Sequence, residues 1–300
     1  VSGLADLPVV ILAGGRGARF DHESQVLPKP MISVAGKPIL QHIIDGLVVQ
    51  GFREFIVAGG YLWEAIDAWF HATGRGPFCL GHYPVGNGTN ERVEYKQYGV
   101  EYPDLCGIKV VVVDTGAGSH TGERLVRLRE LIQGRRFVLT YGDGLSDVQM
   151  QDVLDEHLHD WSEMGRLEDG AVKPHPAHQP PLLTLTAVNP PGRFGVLDFN
   201  PTYWHHVRTF REKGSDDWIN GGFMIVESEF IWRYLEDDWG SFKLEDDAMP
   251  ACAEHWRMRA YRHSGYWRCM DTRRDREQIE EDVKFAQGLP WRRDMMEEKK

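Results

Sequence analysis

Ala13-Gly14-Gly15-Arg16-Gly17-Ala18-Arg19 places three glycines and two arginines directly after a short apolar run. Glycine lets the backbone approach a ligand closely, and successive N–H groups then cradle an anion such as a triphosphate. Arg16 and Arg19 add guanidinium groups, each able to grip phosphate oxygens through two parallel hydrogen bonds. No Gly-Lys-Ser/Thr closes the loop as in a Walker motif, and the third glycine of the dinucleotide fingerprint is missing. Taken alone, such a turn is equally a structural device. Further along, Lys29 stands between Pro28 and Pro30. The flanking prolines nearly immobilise its backbone, which suits holding one ammonium over a phosphate. Asp143 lies between Gly142 and Gly144, just past the apolar run Phe137 to Tyr141. A carboxylate at the carboxyl end of a parallel strand points into the crevice where α/β proteins bind ligands. Magnesium needs only one or two such carboxylates beside phosphate oxygens and water.

The elements that must position these residues follow from periodicity. Val9 to Leu12 predicts a buried strand running straight into the glycine turn. Ile39, Leu40, Ile43, Ile44, Leu47 and Val48 recur at helical spacing, with Pro38 at the start and Gly51 at the end. A second strand, Phe55 to Ala58, stops at Gly59-Gly60, and a short helix carries Trp63, Ile66 and Phe70 on one face. Strand alternating with helix predicts an α/β fold: a Rossmann-like, mixed but mainly parallel sheet with helices on both faces. Further strands are expected at Ile108 to Val113, Phe137 to Tyr141, Leu182 to Val188 and Phe223 to Val226. Residues 71–107, rich in Gly, Pro and Tyr, read as a loop insertion of surface excursions and short hairpins, and residues 160–181, with scattered His and Pro, as a second loop insertion. One domain over 9–291 is expected, between a lead at 1–8 and a charged tail at 292–300.

A net charge of -11 argues against nucleic acid as partner. Cys79, Cys106, Cys252 and Cys269 form no C-x-x-C pair or zinc spacing and read as reduced thiols, mostly packing. The pairs His157/His159, His175/His178 and His205/His206 lack ligands at metal spacing and read as surface or packing groups. No apolar run approaches the roughly 20 residues that span a bilayer, and the first eight residues lack signal-peptide blocks. A cytoplasmic location without membrane association is the expectation.

The run from Leu12 to Leu40 resembles the N-terminal signature of the sugar-1-phosphate nucleotidyltransferases, most closely the glucose-1-phosphate cytidylyltransferases among them. The resemblance covers roughly Val9 to Trp291. It passes through Val113-Asp114-Thr115-Gly116, Thr121-Gly122-Glu123-Arg124-Leu125, Tyr141-Gly142-Asp143-Gly144 and Pro190-Pro191-Gly192-Arg193-Phe194-Gly195. Ile219-Asn220-Gly221-Gly222-Phe223 and Trp267-Arg268-Cys269-Met270-Asp271-Thr272 complete it. It implies a Rossmann-like core and magnesium-dependent transfer of a nucleotidyl group from an NTP to a sugar-1-phosphate. A homo-oligomer is expected.

The resemblance assigns Leu12, Ala13, Gly14, Gly15, Gly17, Ala18, Thr121, Arg124, Gly142 and Asp143 to the nucleotide. Arg19, Lys29 and Lys213 become the catalytic cations, and Asp271 joins Asp143 as second metal ligand. The alternative for Asp271 is a turn residue capping the next helix, and Asp114 and Asp147 compete for the metal role. Tyr141, Asn220, Gly221, Glu245 and Trp267 fall to the sugar or ribose side, with Tyr61 a further candidate. Three positions depart from the family pattern: Gly214 replaces the proline of Glu-Lys-Pro, Ala18 a threonine, and Glu123 a glycine. Arg124 matches the arginine implicated in cytosine recognition, whereas Glu123 adds bulk and charge beside it. The rival readings are the same reaction with another base or a modified sugar, and a non-catalytic regulatory homologue.

Overall fold

The computed structural model describes residues 3–15, 26–73, 75–84, 92–102, 105–160, 179–189, 196–203, 205–211, 218–235 and 242–292. Its strands are β1 (Val9–Leu12), β2 (Ser33–Val34), β3 (Lys37–Pro38), β4 (Glu54–Gly59), β5 (Arg75–Pro84), β6 (Arg92–Tyr102) and β7 (Leu105–Asp114). Next come β8 (Arg136–Tyr141), β9 (Gly144–Ser146), β10 (Leu183–Val188), β11 (Val196–Phe199) and β12 (Val207–Arg211). The last four are β13 (Ile219–Asn220), β14 (Met224–Glu227), β15 (Met258–His263) and β16 (Trp267–Cys269). The helices are α1 (Ile39–Val49), α2 (Trp63–Thr73), α3 (Thr121–Ile132), α4 (Met150–Leu158), α5 (Glu229–Tyr234), α6 (Met249–Glu254) and α7 (Arg273–Ala286).

A ten-stranded sheet forms the centre, in the order β13-β10-β14-β8-β1-β4-β7-β6-β5, with β15 beside β10. The four middle strands, β8, β1, β4 and β7, are parallel. Their side chains alternate between two buried layers. Val9, Ile11, Phe55, Val57, Val110 and Val112 face one, which α1, α2, α4 and Ile279 of α7 cover. Val10, Leu12, Ile56, Ala58, Val111 and Val113 face the other, under α3, α5 and α6. Because both faces are buried, these strands are near-continuously apolar, and the carboxyl ends of all four open on the same edge.

Within 71–107, where surface excursions with short hairpins are expected, the structure has a long antiparallel strand pair built into the main sheet. β6 extends the main sheet antiparallel to β7, with Tyr95 opposite Val113 and Val100 opposite Ile108, and β5 adds antiparallel to β6 at the edge. Long-range pairing overrides the irregular Gly and Pro pattern there. In the second expected insertion, α4 ends at Leu158 and the chain is described again from Gln179, so its body, 161–178, lies outside the described residues. Among the described residues, no helix is long and apolar enough to cross a membrane.

Candidate active site

The carboxyl ends of β1 and β8 and the loop after β7 line a cleft of about 470 Å³. Ala13, Gly14 and Gly15 form one wall, Gly142 and Asp143 another, and the loop Ala117 to Thr121 a third. Backbone bonds lock the first two together. The Ala13 N–H donates to the Ala58 carbonyl, and the Gly142 N–H to that of Leu12, each at 2.9 Å. A Cβ on Gly142 would stand 2.9 Å from Pro30 Cγ and 3.1 Å from the Leu12 carbonyl. Only glycine fits that close approach.

Lys29 opens a single 3₁₀ turn, Lys29–Met31, with the Met31 N–H bonded to the Pro28 carbonyl. That turn buries the lysine stem. Its Nζ donates to Asp143 Oδ2 at 2.6 Å and to Asp271 Oδ1 at 2.5 Å. Burial alone would lower the Lys29 pKa, but Asp143, Cys269 and Asp271 outweigh it and hold the ammonium charged far above ordinary pH. Lysine and the two carboxylates thus meet across 114 and 242 residues of chain.

Asp271 is carried there by β16, which pairs with β9, and by a bond from the Met270 N–H to the Asp143 carbonyl at 2.9 Å. It does not cap the following helix. Thr272 is the N-cap of α7, accepting from the Asp275 N–H. Asp114 accepts from the Gly116 N–H at 2.9 Å, and Asp147 meets His263 Nε2 at 2.8 Å. Neither competitor belongs to the group of metal-ligating type found among the described residues: Asp143, Cys269 and Asp271, with ligand atoms within 4.8 Å of one another. Two carboxylates around a cation match what magnesium requires of a protein. Cys269, one of the four thiols read as mostly packing, is half-buried beside the two carboxylates. Alternation of strand side chains, Cys269 and Asp271 up and Met270 down, was the signal available for it.

Arg124 departs from its expected reach toward a base. The residue is 4% exposed, and its guanidinium donates to the carbonyls of Gly14, Gly59 and Gly116 and to the Thr115 hydroxyl. Burial lowers its pKa to about 10, against the raising influence of Asp114 and Glu123. It packs so tightly that a Cβ on Gly60 would stand 2.3 Å from Nη1. The arginine therefore ties the glycine turn to the ends of β4 and β7 while still lining the cleft. Gly60→Ala should push the guanidinium out and strand buried carbonyls, costing roughly 2 kcal/mol in urea unfolding and weakening triphosphate binding. Unchanged stability and affinity would show that the guanidinium relocates freely. Glu123 also differs from expectation. Its carboxylate accepts from the His120 N–H at 2.6 Å, capping α3 rather than charging the cleft.

On the far side, Glu245 joins the nucleotide wall to the sugar-side candidates. It accepts from the Tyr141 hydroxyl at 2.6 Å and from the Thr121 hydroxyl at 2.8 Å. Asn220 Nδ2 donates to the Tyr141 oxygen at 3.3 Å, and Trp267 Nε1 to the Gly221 carbonyl at 2.8 Å. Burial, followed by Glu245, raises the Tyr141 pKa well above its usual value, so the phenol stays a donor. Glu245 sits in a single π-helical turn, Leu244–Ala248, an irregularity common at functional sites. Leu12, Ala13, Gly14, Gly15, Lys29, Thr121, Arg124, Tyr141, Gly142, Asp143 and Glu245 all line the cleft. Asp271, Asn220, Gly221 and Trp267 connect to it through the bonds above. Tyr61 contributes its N–H to the Gly14 carbonyl at 3.2 Å. Arg16, Gly17, Ala18, Arg19, Lys213 and Gly214 lie outside the described residues. Lys243, Ser119 and His120 also line the cleft and went unforeseen, because they occupy loops without a local pattern.

Comparison with known proteins bears on family and fold. A MobA-like NTP transferase domain matches residues 9–82. The chain is 32% identical to glucose-1-phosphate cytidylyltransferase of Salmonella typhimurium over 277 residues, covering 91% of this chain and 95% of that one. A Bacillus subtilis protein named "Probable glucose-1-phosphate cytidylyltransferase" is 29% identical, over 89% of this chain and 92% of its own. The solved structure of HddC from Yersinia pseudotuberculosis, complexed with GMP-PN, has the same fold, with a TM-score of 0.63 at 21% identity. It covers 92% of this chain and 99% of its own.

Proposed function

The chain belongs to the glucose-1-phosphate cytidylyltransferase family of sugar-1-phosphate nucleotidyltransferases, and from that premise we propose that it forms CDP-glucose from CTP and glucose-1-phosphate, releasing pyrophosphate. Nucleotidyl transfer to a sugar-1-phosphate comes with the family. A phosphate oxygen of the sugar attacks the α-phosphorus, and pyrophosphate leaves in line. The sugar phosphate is already ionised at neutral pH, so no general base is needed. The observation that carries this reading is the convergence of Lys29, Asp143 and Asp271 at one end of a glycine-walled cleft.

Asp143 and Asp271 would hold a magnesium ion, which when bound neutralises phosphate charge. Lys29 is placed to shift from the carboxylates onto the phosphates, and Gly14 and Gly15 offer them close backbone. Arg19 and Lys213 keep their proposed roles on the triphosphate and on the incoming sugar phosphate. Arg124 shapes the base side of the cleft by holding Gly14, and the Glu123 carboxylate is turned back to the start of α3. Glu245, Tyr141, Asn220, Gly221 and Trp267 provide the hydroxyl-binding wall for the sugar. Residues 9–291 act as one nucleotidyltransferase domain in a cytoplasmic homo-oligomer, whose subunit count light scattering would measure.

Five triphosphates (CTP, UTP, dTTP, ATP and GTP) assayed against several sugar-1-phosphates for pyrophosphate release test the reading. CTP with glucose-1-phosphate should give the highest kcat/KM. Another nucleotide winning by about tenfold, about 1.4 kcal/mol, removes the cytidylyl assignment. Silence with every pair would favour the non-catalytic homologue.

A further inference from the structure

We propose that Cys269 is a third donor of the metal centre, so that Asp143, Cys269 and Asp271 together take a thiophilic divalent cation such as zinc, cadmium or cobalt. This rests on reading the two carboxylates as metal ligands and adds a chemical class of cation to that site.

The placement is built into the backbone. Cys269 ends β16, directly opposite Gly144 of β9, one residue from Asp143. Successive side chains on an extended segment alternate, so Cys269 and Asp271 face the same way while Met270 between them is fully buried in the core. The sulfur and one oxygen of each aspartate consequently fall within 4.8 Å of one another. Cys252 provides the contrast: it is fully buried within the apolar layer under α5 and α6.

A second observation marks the place as one that takes a cation. The Lys29 ammonium stands between the carboxylates, at 2.6 and 2.5 Å. An ammonium satisfies charge alone and leaves the sulfur lone pairs unused. Two carboxylate oxygens with a thiolate form a mixed donor set, and softness favours zinc, cadmium or cobalt over magnesium on its sulfur. Such a cation displaces the thiol proton to solvent and the ammonium from its carboxylates. Magnesium, drawn to oxygen, leaves the thiol protonated. A thiophilic cation would therefore lock the centre in a form from which Lys29 is expelled, and inhibit transfer.

Cobalt(II) titrated into the metal-free protein tests this without any turnover. One equivalent should bind and develop a near-ultraviolet sulfur-to-cobalt charge-transfer band. Cys269→Ser should abolish the band and weaken zinc binding at least ~10-fold, since loss of a partner one shell further out already costs about that much. Its magnesium affinity, measured calorimetrically, should stay within about twofold, which also reports an intact fold. Cys252→Ser should keep the band. Cobalt binding without a band in the unaltered protein, or a band that survives Cys269→Ser, overturns the role of Cys269 and spares the carboxylates. Failure to bind cobalt or magnesium at all, even with triphosphate present, overturns both.

Discussion

Asp143→Asn should lower kcat at least ~100-fold while leaving the folded structure in place, because it removes charge from the metal centre and little else. The carboxylate has one side-chain partner, Lys29, and its residue is tied into the fold through its backbone carbonyl, which accepts from Met270. Asparagine preserves both volume and backbone bond. Asp271 remains to hold the Lys29 ammonium, so the substitution does not strand a buried cation. Pyrophosphate release at saturating magnesium, with circular dichroism as the fold control, decides the matter. Near-normal turnover would remove Asp143 from the centre, and a collapsed far-ultraviolet spectrum would recast it as a structural residue.

Lys29→Ala should act in two opposite directions at once. Turnover should fall by roughly 100-fold in both kcat and kcat/KM, since the ammonium is proposed to stabilise charge that develops as pyrophosphate departs. Magnesium binding to the nucleotide-free protein should tighten by about tenfold, equivalent to about 1.4 kcal/mol. The sign follows from the geometry. Metal must compete with an ammonium bonded to both aspartates, and without it two carboxylates face each other unneutralised. Titration calorimetry reads the second effect and steady-state kinetics the first. A defect confined to KM would make Lys29 a ground-state contact only. Unchanged magnesium affinity would mean that ammonium and metal occupy separate places. A purely structural lysine would weaken both activity and metal binding, so the opposed signs separate the readings.

Local pattern determined much of the framework. Val9 to Leu12 predicted β1 because a parallel strand buried on both faces must be apolar throughout, and the structure ends that strand at Leu12. Helical spacing from Ile39 to Val48 predicted α1 for the same reason of burial, and Gly51 takes a φ of 106° just beyond its end. Asp143 was legible as a cleft carboxylate because the strand before it and its two glycines are neighbours in the chain. The resemblance supplied Asp271, which no short-range rule places. Tertiary structure decided where the side chains go. Arg92–Tyr102 becomes a sheet strand through pairing with β7, and Arg75–Pro84 through pairing with β6, which outweighs their irregular composition. Arg124 turns to backbone carbonyls because burial demands partners for a guanidinium, and Glu123 turns back to cap α3 because a helix start exposes unpaired N–H groups. The cluster of Lys29, Asp143, Cys269 and Asp271 exists only once β16 has paired with β9. Periodicity tells which face a residue lies on; pairing between distant segments sets what that face meets.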